Sequence, residues 1–448
     1  MLISLECDAR DCNRSDLLAM ARPSRSLPEQ NAQEALDARY ARVRAQTLAL
    51  AAPLSAEDQA IQSMPDVSPT KWHLAHTTWF FETFVLKPFA PGWRPFDEAF
   101  AFLFNSYYEP EGARHPRPRR GMLPRPSADR ILDYRHHVEA GLDRLLAAAS
   151  GADAARIGEL VELGINHEQQ HQELLLTDIL HLFAQNPLEP AYGEGEPPAG
   201  QAGPVQADRW RSFGGGIVRI GHSGGGFCYD NETPAHDALV HPFRLADALV
   251  TNGDWLAFMA DGGYRTATLW LSDGWAQVQG ENWQAPLYWQ EGEDGWSQMS
   301  LWGRQPVDPR APACHVSYYE ADAFARWAGK RLPNEFEWEV AAREVPVRGN
   351  LGSSGQLRPL AAGHHASGAR QMFGDVWEWT ASPYTAYPGF AAAKGAVGEY
   401  NGKFMCNQMV LRGGSCVTPE GHVRASYRNF FYPHQRWQFM GLRLAEDG

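Results

Sequence analysis

Cysteine is scarce in this chain. Cys7, Cys12, Cys228, Cys314, Cys406 and Cys416 are spread over 448 residues, and none stands in a Cys-x-x-Cys pair, so no disulfide framework is indicated. Positive charge is in the minority: 40 Lys and Arg against 53 Asp and Glu leave a formal charge of −13. That balance argues against a nucleic-acid partner. No segment approaches the roughly 18 consecutive apolar residues of a membrane span. The N-terminus, Met1-Leu2-Ile3-Ser4-Leu5-Glu6-Cys7-Asp8, lacks a charged region leading into a long apolar one, so no signal peptide is read there. These absences lead us to expect a soluble, cytoplasmic protein without a membrane partner.

What the chain does have is length, tryptophan and a change of texture. At 448 residues it can build two or three domains, each with its own core. Sixteen tryptophans suit loop-rich regions held down by large rings. Residues 1–35 are polar and unpatterned, and are expected to form a loosely attached tail. Helical apolar spacing follows, with helices predicted over 35–51, 70–86, 127–149 and 154–183. Ser68 before Pro69-Thr70 and Ser127 before Ala128-Asp129 read as N-caps. Four amphipathic helices with a long second connection predict a four-helix bundle over 36–185, its interior open to metal ligands. A Pro-, Gly- and Glu-rich stretch, 186–206, reads as a linker. Residues 207–448 alternate short apolar runs, such as Gly216-Ile217-Val218-Arg219-Ile220, with Gly- and Trp-rich loops. Only 319–328 and 335–342 read as helices there. An irregular α+β domain is expected, without internal repeats.

The most informative motif is His167-Glu168-Gln169-Gln170-His171. Histidines four apart on a helix project from one face and can grip one metal ion. Gln170 leans toward the same face, whereas Glu168 and Glu173 are rotated away from it. A third ligand must come from elsewhere, and Trp72-His73-Leu74-Ala75-His76 on another predicted helix offers two, His73 and His76. Lone helical histidines are ordinary core or surface residues; two histidine-bearing helices in one bundle favour the metal. A neutral three-histidine site suits Fe(II), Zn(II) or another borderline ion, and ligand type alone does not separate these. Binding of dioxygen and a thiol would favour iron, and water activation would favour zinc.

Phe104-Asn105-Ser106-Tyr107-Tyr108-Glu109 leads into Arg114-His115-Pro116-Arg117-Pro118-Arg119-Arg120-Gly121. Phenol hydroxyls donate protons and guanidinium groups clamp carboxylates bidentately. Tyr107 and Tyr108 are therefore candidate catalytic residues, and Arg114, Arg117 and Arg120 candidate contacts to a small zwitterionic substrate. An arginine-rich solvated loop is the plainer alternative. In the second half, Gly374-Asp375-Val376-Trp377-Glu378-Trp379-Thr380, Leu411-Arg412-Gly413-Gly414-Ser415 and Tyr427-Arg428-Asn429-Phe430-Phe431-Tyr432-Pro433 are mostly struts and turns of an irregular fold. Asn334 reads as the cap of the helix opened by Arg331-Leu332-Pro333-Asn334-Glu335. Asn429 and its aromatic neighbours could also bind an amide, a carboxylate or a cationic ammonium group.

With Arg331-Leu332-Pro333-Asn334-Glu335, Gly374-Asp375-Val376-Trp377-Glu378-Trp379-Thr380 and Arg412-Gly413-Gly414-Ser415, the second half resembles the formylglycine-generating-enzyme/sulfatase-modifying fold, related to C-type lectins. The first half, with His76 and His167-x3-His171, resembles the DinB-type bundle. Their fusion resembles the EgtB family of nonhaem iron sulfoxide synthases of ergothioneine biosynthesis, over about residues 35–446. The resemblance implies Fe(II) on His76, His167 and His171, dioxygen as co-substrate, Gln170 against the imidazole of hercynine, and Asn429 with Phe430 at its betaine end. It implies oxidative bonding of a donor sulfur to C2 of that imidazole, giving a sulfoxide. Asn105-Ser106-Tyr107-Tyr108 is similar to the subgroup that uses free cysteine. Family enzymes taking γ-glutamylcysteine carry an acid and a base where this chain has Phe431 and Gln435, a departure that favours cysteine and hercynylcysteine sulfoxide.

Rival readings share parts of this frame. A selenoneine synthase would couple a selenosugar to hercynine. A metal-dependent thiol transferase would need only the bundle. A copper oxidase of the formylglycine-generating type would use Cys406 and Cys416, for which a structural role is the simpler expectation. A lectin-like binding module leaves the three histidines unexplained.

Overall fold

The computed structural model describes residues 34–108, 111–199, 210–363, 369–392, 398 and 401–448. Most of the expected N-terminal tail, with Cys7 and Cys12, and the end of the expected linker lie outside the described residues. The chain is an α+β multidomain protein. Its first half contains α1 (Leu36–Ala51), α2 (Thr70–Phe81), α3 (Ala128–Ala148) and α4 (Gly151–Gln185). Helix α4 packs along α1 and α2, and α2 packs on α3, which gives the four-helix bundle. At 35 residues, α4 runs about 50 Å. Its Gly164 lies where a Cβ would meet the Phe81 ring at 2.4 Å, so glycine lets α2 and α4 approach closely just before His167.

A buried polar knot crosses the otherwise largely apolar core around Glu168. Glu168 accepts from Arg44 and Arg135, both at 3.0 Å, and from Thr47 at 2.7 Å. This pins α1, α3 and α4 together around a carboxylate that cannot be hydrated. The predicted helix over 70–86 changes character part-way: Glu82–Leu86 is a π-turn. There Glu82 is buried and accepts from Tyr134, Trp93 and the Phe96 amide. Ser127 caps α3 as expected. Ser68 does not cap α2; Pro69 holds that position. The Ser68 hydroxyl accepts instead from Arg120, and its amide donates to Asp178, so tertiary contacts displace the local cap.

The second half is a set of small sheets among long loops. Strands β1 (Trp210–Phe213), β4 (Phe243–Ala246) and β12 (Ala445–Asp447) form one antiparallel sheet, joining the two ends of this half. Strands β2 (Gly216–Ile220) and β3 (His236–Val240) form a ribbon, and β5 (Trp289–Gly292), β6 (Gly295–Ser300) and β7 (Gly303–Pro306) a meander. The central sheet has the order β10-β9-β8-β11, from β8 (Trp377–Pro383), β9 (Met409–Arg412), β10 (Asn429–Phe431) and β11 (Met440–Gly441). Among the described residues four α-helices accompany them rather than the two expected: α5 (Asn252–Ala260), α6 (Ser272–Glu281), α7 (Tyr318–Trp327) and α8 (Glu335–Ala342). Asn334 caps α8 with a reciprocal Glu337 contact. Arginine struts are buried here: Arg412 and Arg428 both reach Glu335, and Arg443 reaches Glu378.

Candidate metal centre

Three imidazoles meet inside the bundle. His167 and His171 lie one turn apart on α4 with ring centroids 4.7 Å apart, and His76 of α2 stands 4.9 and 4.8 Å from them. Their ligand nitrogens all lie within 4.8 Å of one another. His76 is held on every side. Its ring lies nearly parallel to Trp72 at 4.6 Å and Trp79 at 5.6 Å, residues four before and three after it on the same helix face. Its Nδ1 hydrogen-bonds the Phe104 carbonyl at 2.6 Å, so Nδ1 carries the proton. Nε2 is buried without a hydrogen-bond partner among the described residues. Such an orphan is costly unless something binds it.

Burial pushes the pKa of His76 and His171 well below the usual range, and that of His167 down to about 3. Neutral imidazoles are the form that ligates a metal. The nearby carboxylates stay out of the set, because Glu168 faces Arg44 and Arg135 while Glu173 faces the second half. A bare, neutral, all-nitrogen set fits a borderline divalent ion such as iron(II). His73, the alternative that spacing left open, contacts His171 and Asp178 instead: Nδ1 lies 2.8 Å from His171 Nδ1 and Nε2 lies 3.0 Å from Asp178 Oδ2.

The tyrosine loop leaves the short helix Phe100–Phe104. Asn105 shapes it, accepting from the Tyr108 amide and donating to the Tyr108 carbonyl. Tyr108 is fully buried, with ring centroids 5.6 Å from Trp79 and 5.2 Å from Phe84. Tyr107 stacks on it at 4.6 Å. Of the three arginines singled out, Arg120 turns inward. Its guanidinium lies 3.4 Å over the Trp72 ring and donates to Ser68 and Ser106. Arg114 is half-buried, whereas Arg117 is exposed and donates to the Asp66 carbonyl. The expected three-arginine cluster is therefore split, since a backbone acceptor draws Arg117 outward.

The second half closes on the bundle at α4 and at the tyrosine loop. Gln170 donates to the Tyr427 hydroxyl at 2.9 Å, and that hydroxyl lies 3.1 Å from His422 Nε2. Glu173 accepts from Trp377, Ser415 and Thr418 at 2.7, 2.7 and 2.8 Å. Lys403 donates to the Tyr107 carbonyl, and Phe404 meets the Tyr107 ring edge-on at 5.2 Å. Phe404 stacks in turn on Phe430 at 6.0 Å, and Phe430 on Tyr384 at 4.1 Å. Asn429 is half-buried beside it and accepts from the Phe430 amide. The described cysteines are all free; Cys406 is exposed and Cys416 buried.

Sequence reasoning missed Trp72, Trp79, Asp178, Tyr427 and His422, and offered His73 only as an alternative ligand. The spacing of Trp72, His76 and Trp79 carried a signal, as did Asp178, two turns after His171 on one face. Nothing local pointed to Tyr427 or His422.

Known proteins align with both halves. The model of the sulfatase-modifying factor enzyme 1-like domain matches residues 203–361 and 352–448, and that of the DinB superfamily matches residues 39–175. The hercynine oxygenase of Mycobacterium tuberculosis is 35% identical over 441 residues, spanning 92% of this chain and 99% of that protein. The hercynine oxygenase of Mycolicibacterium thermoresistibile is 34% identical over 414 residues, spanning 86% and 88%. A formylglycine-generating enzyme of Streptomyces coelicolor is 28% identical over 312 residues, spanning 56% of this chain and 95% of its own length.

Proposed function

Because this chain belongs to the hercynine oxygenase family of the ergothioneine pathway, we propose that it joins the sulfur of L-cysteine to C2 of the hercynine imidazole and releases hercynylcysteine sulfoxide. The observation that carries this reading is the convergence of three buried, neutral histidines beside a glutamine gripped from the second half. Iron(II) held by His76, His167 and His171 would supply the redox chemistry with dioxygen that such a coupling needs.

The remaining work falls to the protein. Gln170, one residue before His171, orients the hercynine ring with its amide, while Asn429 and Phe430 take the betaine end. Fixing two reactants side by side removes a large entropic part of the barrier. Tyr108 and Tyr107 hold phenolic protons at the bundle edge, and a proton given from Tyr108 Oη favours ring coupling over simple oxidation of the thiol. Arg120 and Arg114 remain in our proposal as the donor's carboxylate contacts; Arg117, engaged by Asp66, does not. Cysteine rather than γ-glutamylcysteine is supported by uncharged Phe431 and Gln435 at the positions where the resemblance sets an acid and a base. Phe431 packs edge-on against Trp437 at 5.9 Å, and Gln435 accepts from the Tyr432 amide.

The test is anaerobic reconstitution with Fe(II), then hercynine, oxygen and cysteine, γ-glutamylcysteine or a selenosugar, followed by mass spectrometry. A coupled sulfoxide with cysteine alone is expected. A selenium adduct without sulfoxide would move the donor to selenium, and no coupled product with any donor would overturn the reading.

A further inference from the structure

We infer that Asp178 and His73 form a positioning pair that fixes the tautomer of His171, so that its Nε2 is the nitrogen presented to a metal. The inference rests on the reading of His76, His167 and His171 as the metal site, and concerns how one member of that site is prepared.

Two imidazole nitrogens 2.8 Å apart, His73 Nδ1 and His171 Nδ1, can share only one proton: one must donate and the other accept. The contact alone does not say which. The far side of His73 decides it, because Nε2 lies 3.0 Å from Asp178 Oδ2. A carboxylate only accepts, so His73 carries a proton on Nε2; with that single proton on the ring, its Nδ1 is bare. His171 must then donate from Nδ1, which leaves its Nε2 bare. The opposite arrangement would put a proton on His171 Nε2 and bar it from ligation.

The pair is built rather than incidental. Asp178 Oδ2 is itself fixed by the Ser68 amide at 2.8 Å. His73 and Asp178 are 2% and 6% exposed, so water does not substitute for either. His76 reaches the same Nδ1-protonated state by a different route, through the Phe104 carbonyl. A carbonyl fixes a tautomer only, whereas a carboxylate acting through His73 also draws on the His171 proton and makes Nε2 a stronger donor.

The first test uses the unaltered protein, labelled with ¹⁵N in histidine and loaded with zinc as a diamagnetic probe. Long-range ¹H–¹⁵N correlations are expected to show His73 protonated on Nε2 alone and His171 protonated on Nδ1. His73 protonated on Nδ1, or on both nitrogens, would overturn the inference. The second test compares His73→Phe, Asp178→Asn and His73→Asn, each checked for folding by circular dichroism, by titration with cobalt(II). His73→Phe removes the acceptor and is expected to weaken cobalt binding 10- to 100-fold and to shift the visible ligand-field bands. Asp178→Asn is expected to move both in the same direction. His73→Asn, which restores an oxygen near the lost Nδ1, is expected to recover binding to within several-fold. Unaltered affinity and spectrum in folded His73→Phe would overturn the pair's role. If the unaltered protein took up neither zinc nor cobalt, the metal site itself would fall.

Discussion

Gln170 and Tyr427 lie 257 residues apart in the chain, yet the glutamine amide donates to the tyrosine hydroxyl at 2.9 Å. Burial pushes the pKa of His422 down to about 3, so the ring is neutral, and its Nε2 lies 3.1 Å from the same hydroxyl. The second half therefore holds the amide end of Gln170. Replacing Tyr427 by Phe removes that hold. The KM for hercynine is expected to rise about tenfold, the worth of one hydrogen bond of about 1.4 kcal/mol, with kcat little changed. A KM equal to that of the unaltered enzyme would detach Gln170 from substrate binding.

Tyr108 sits two rings from the metal centre, against Trp79, which stacks on His76. Removing its hydroxyl in Tyr108→Phe is expected to slow coupling by about 100-fold or more and to raise the share of cysteine lost to simple sulfur oxidation. Mass spectrometry of both products gives the ratio. An unchanged ratio would exclude Tyr108 as the proton donor.

Glu173→Ala would leave Trp377 Nε1 and the Ser415 and Thr418 hydroxyls without their acceptor. An unsatisfied buried donor costs about 1–3 kcal/mol, and the combined loss is expected to be about 3 kcal/mol. Urea denaturation should show it, with the two halves unfolding in separate steps. Glu173→Gln, which keeps an oxygen and the volume, should lose less than half as much.

Asp375 supplies a test by pH. Burial pushes its carboxyl up to about 6 despite donors from Asn350, Gln371 and the Leu360 amide. A carboxyl raised on folding contributes stability that is full below its ordinary pKa and is lost as pH rises through 6. The stability of the unaltered protein relative to Asp375→Asn is therefore expected to fall by roughly 3 kcal/mol between about pH 4 and pH 7. Urea midpoints at the two pH values measure it, and a flat difference would contradict the buried, protonating carboxyl.

Where the chain's own period carried the signal, the sequence was a good guide. The four bundle helices, the caps at Ser127 and Asn334, and the i, i+4 pair of His167 and His171 are all local patterns. Helices α5 and α6 escaped notice because glycine breaks their texture. Gly274 in α6 is there for packing, since a Cβ would meet Tyr319 at 2.8 Å. Thr251 and Asp254 did carry a readable capping box for α5. The remaining misreadings share one cause. Ser68 looks like a cap, but its partners Arg120 and Asp178 lie 52 and 110 residues away. Arg117 and Arg120 look alike in the loop, and only the distant Asp66 carbonyl and Trp72 ring separate them. His73 and His76 are equally good ligands by spacing; Asp178, 105 residues beyond His73, marks the difference.

Helix α4 turns Glu168 toward the bundle and, five residues later, Glu173 toward the other half, with both histidines of the pair nearby. This limits how such a protein can be recombined. A bundle borrowed from a relative that lacks an acid at position 173 would offer no carboxylate acceptor to Ser415, Thr418 and Trp377. A foreign second domain without those donors would strand the carboxylate. The two halves look like interchangeable modules in their outlines, but at this seam they can only be inherited, or engineered, as a matched set.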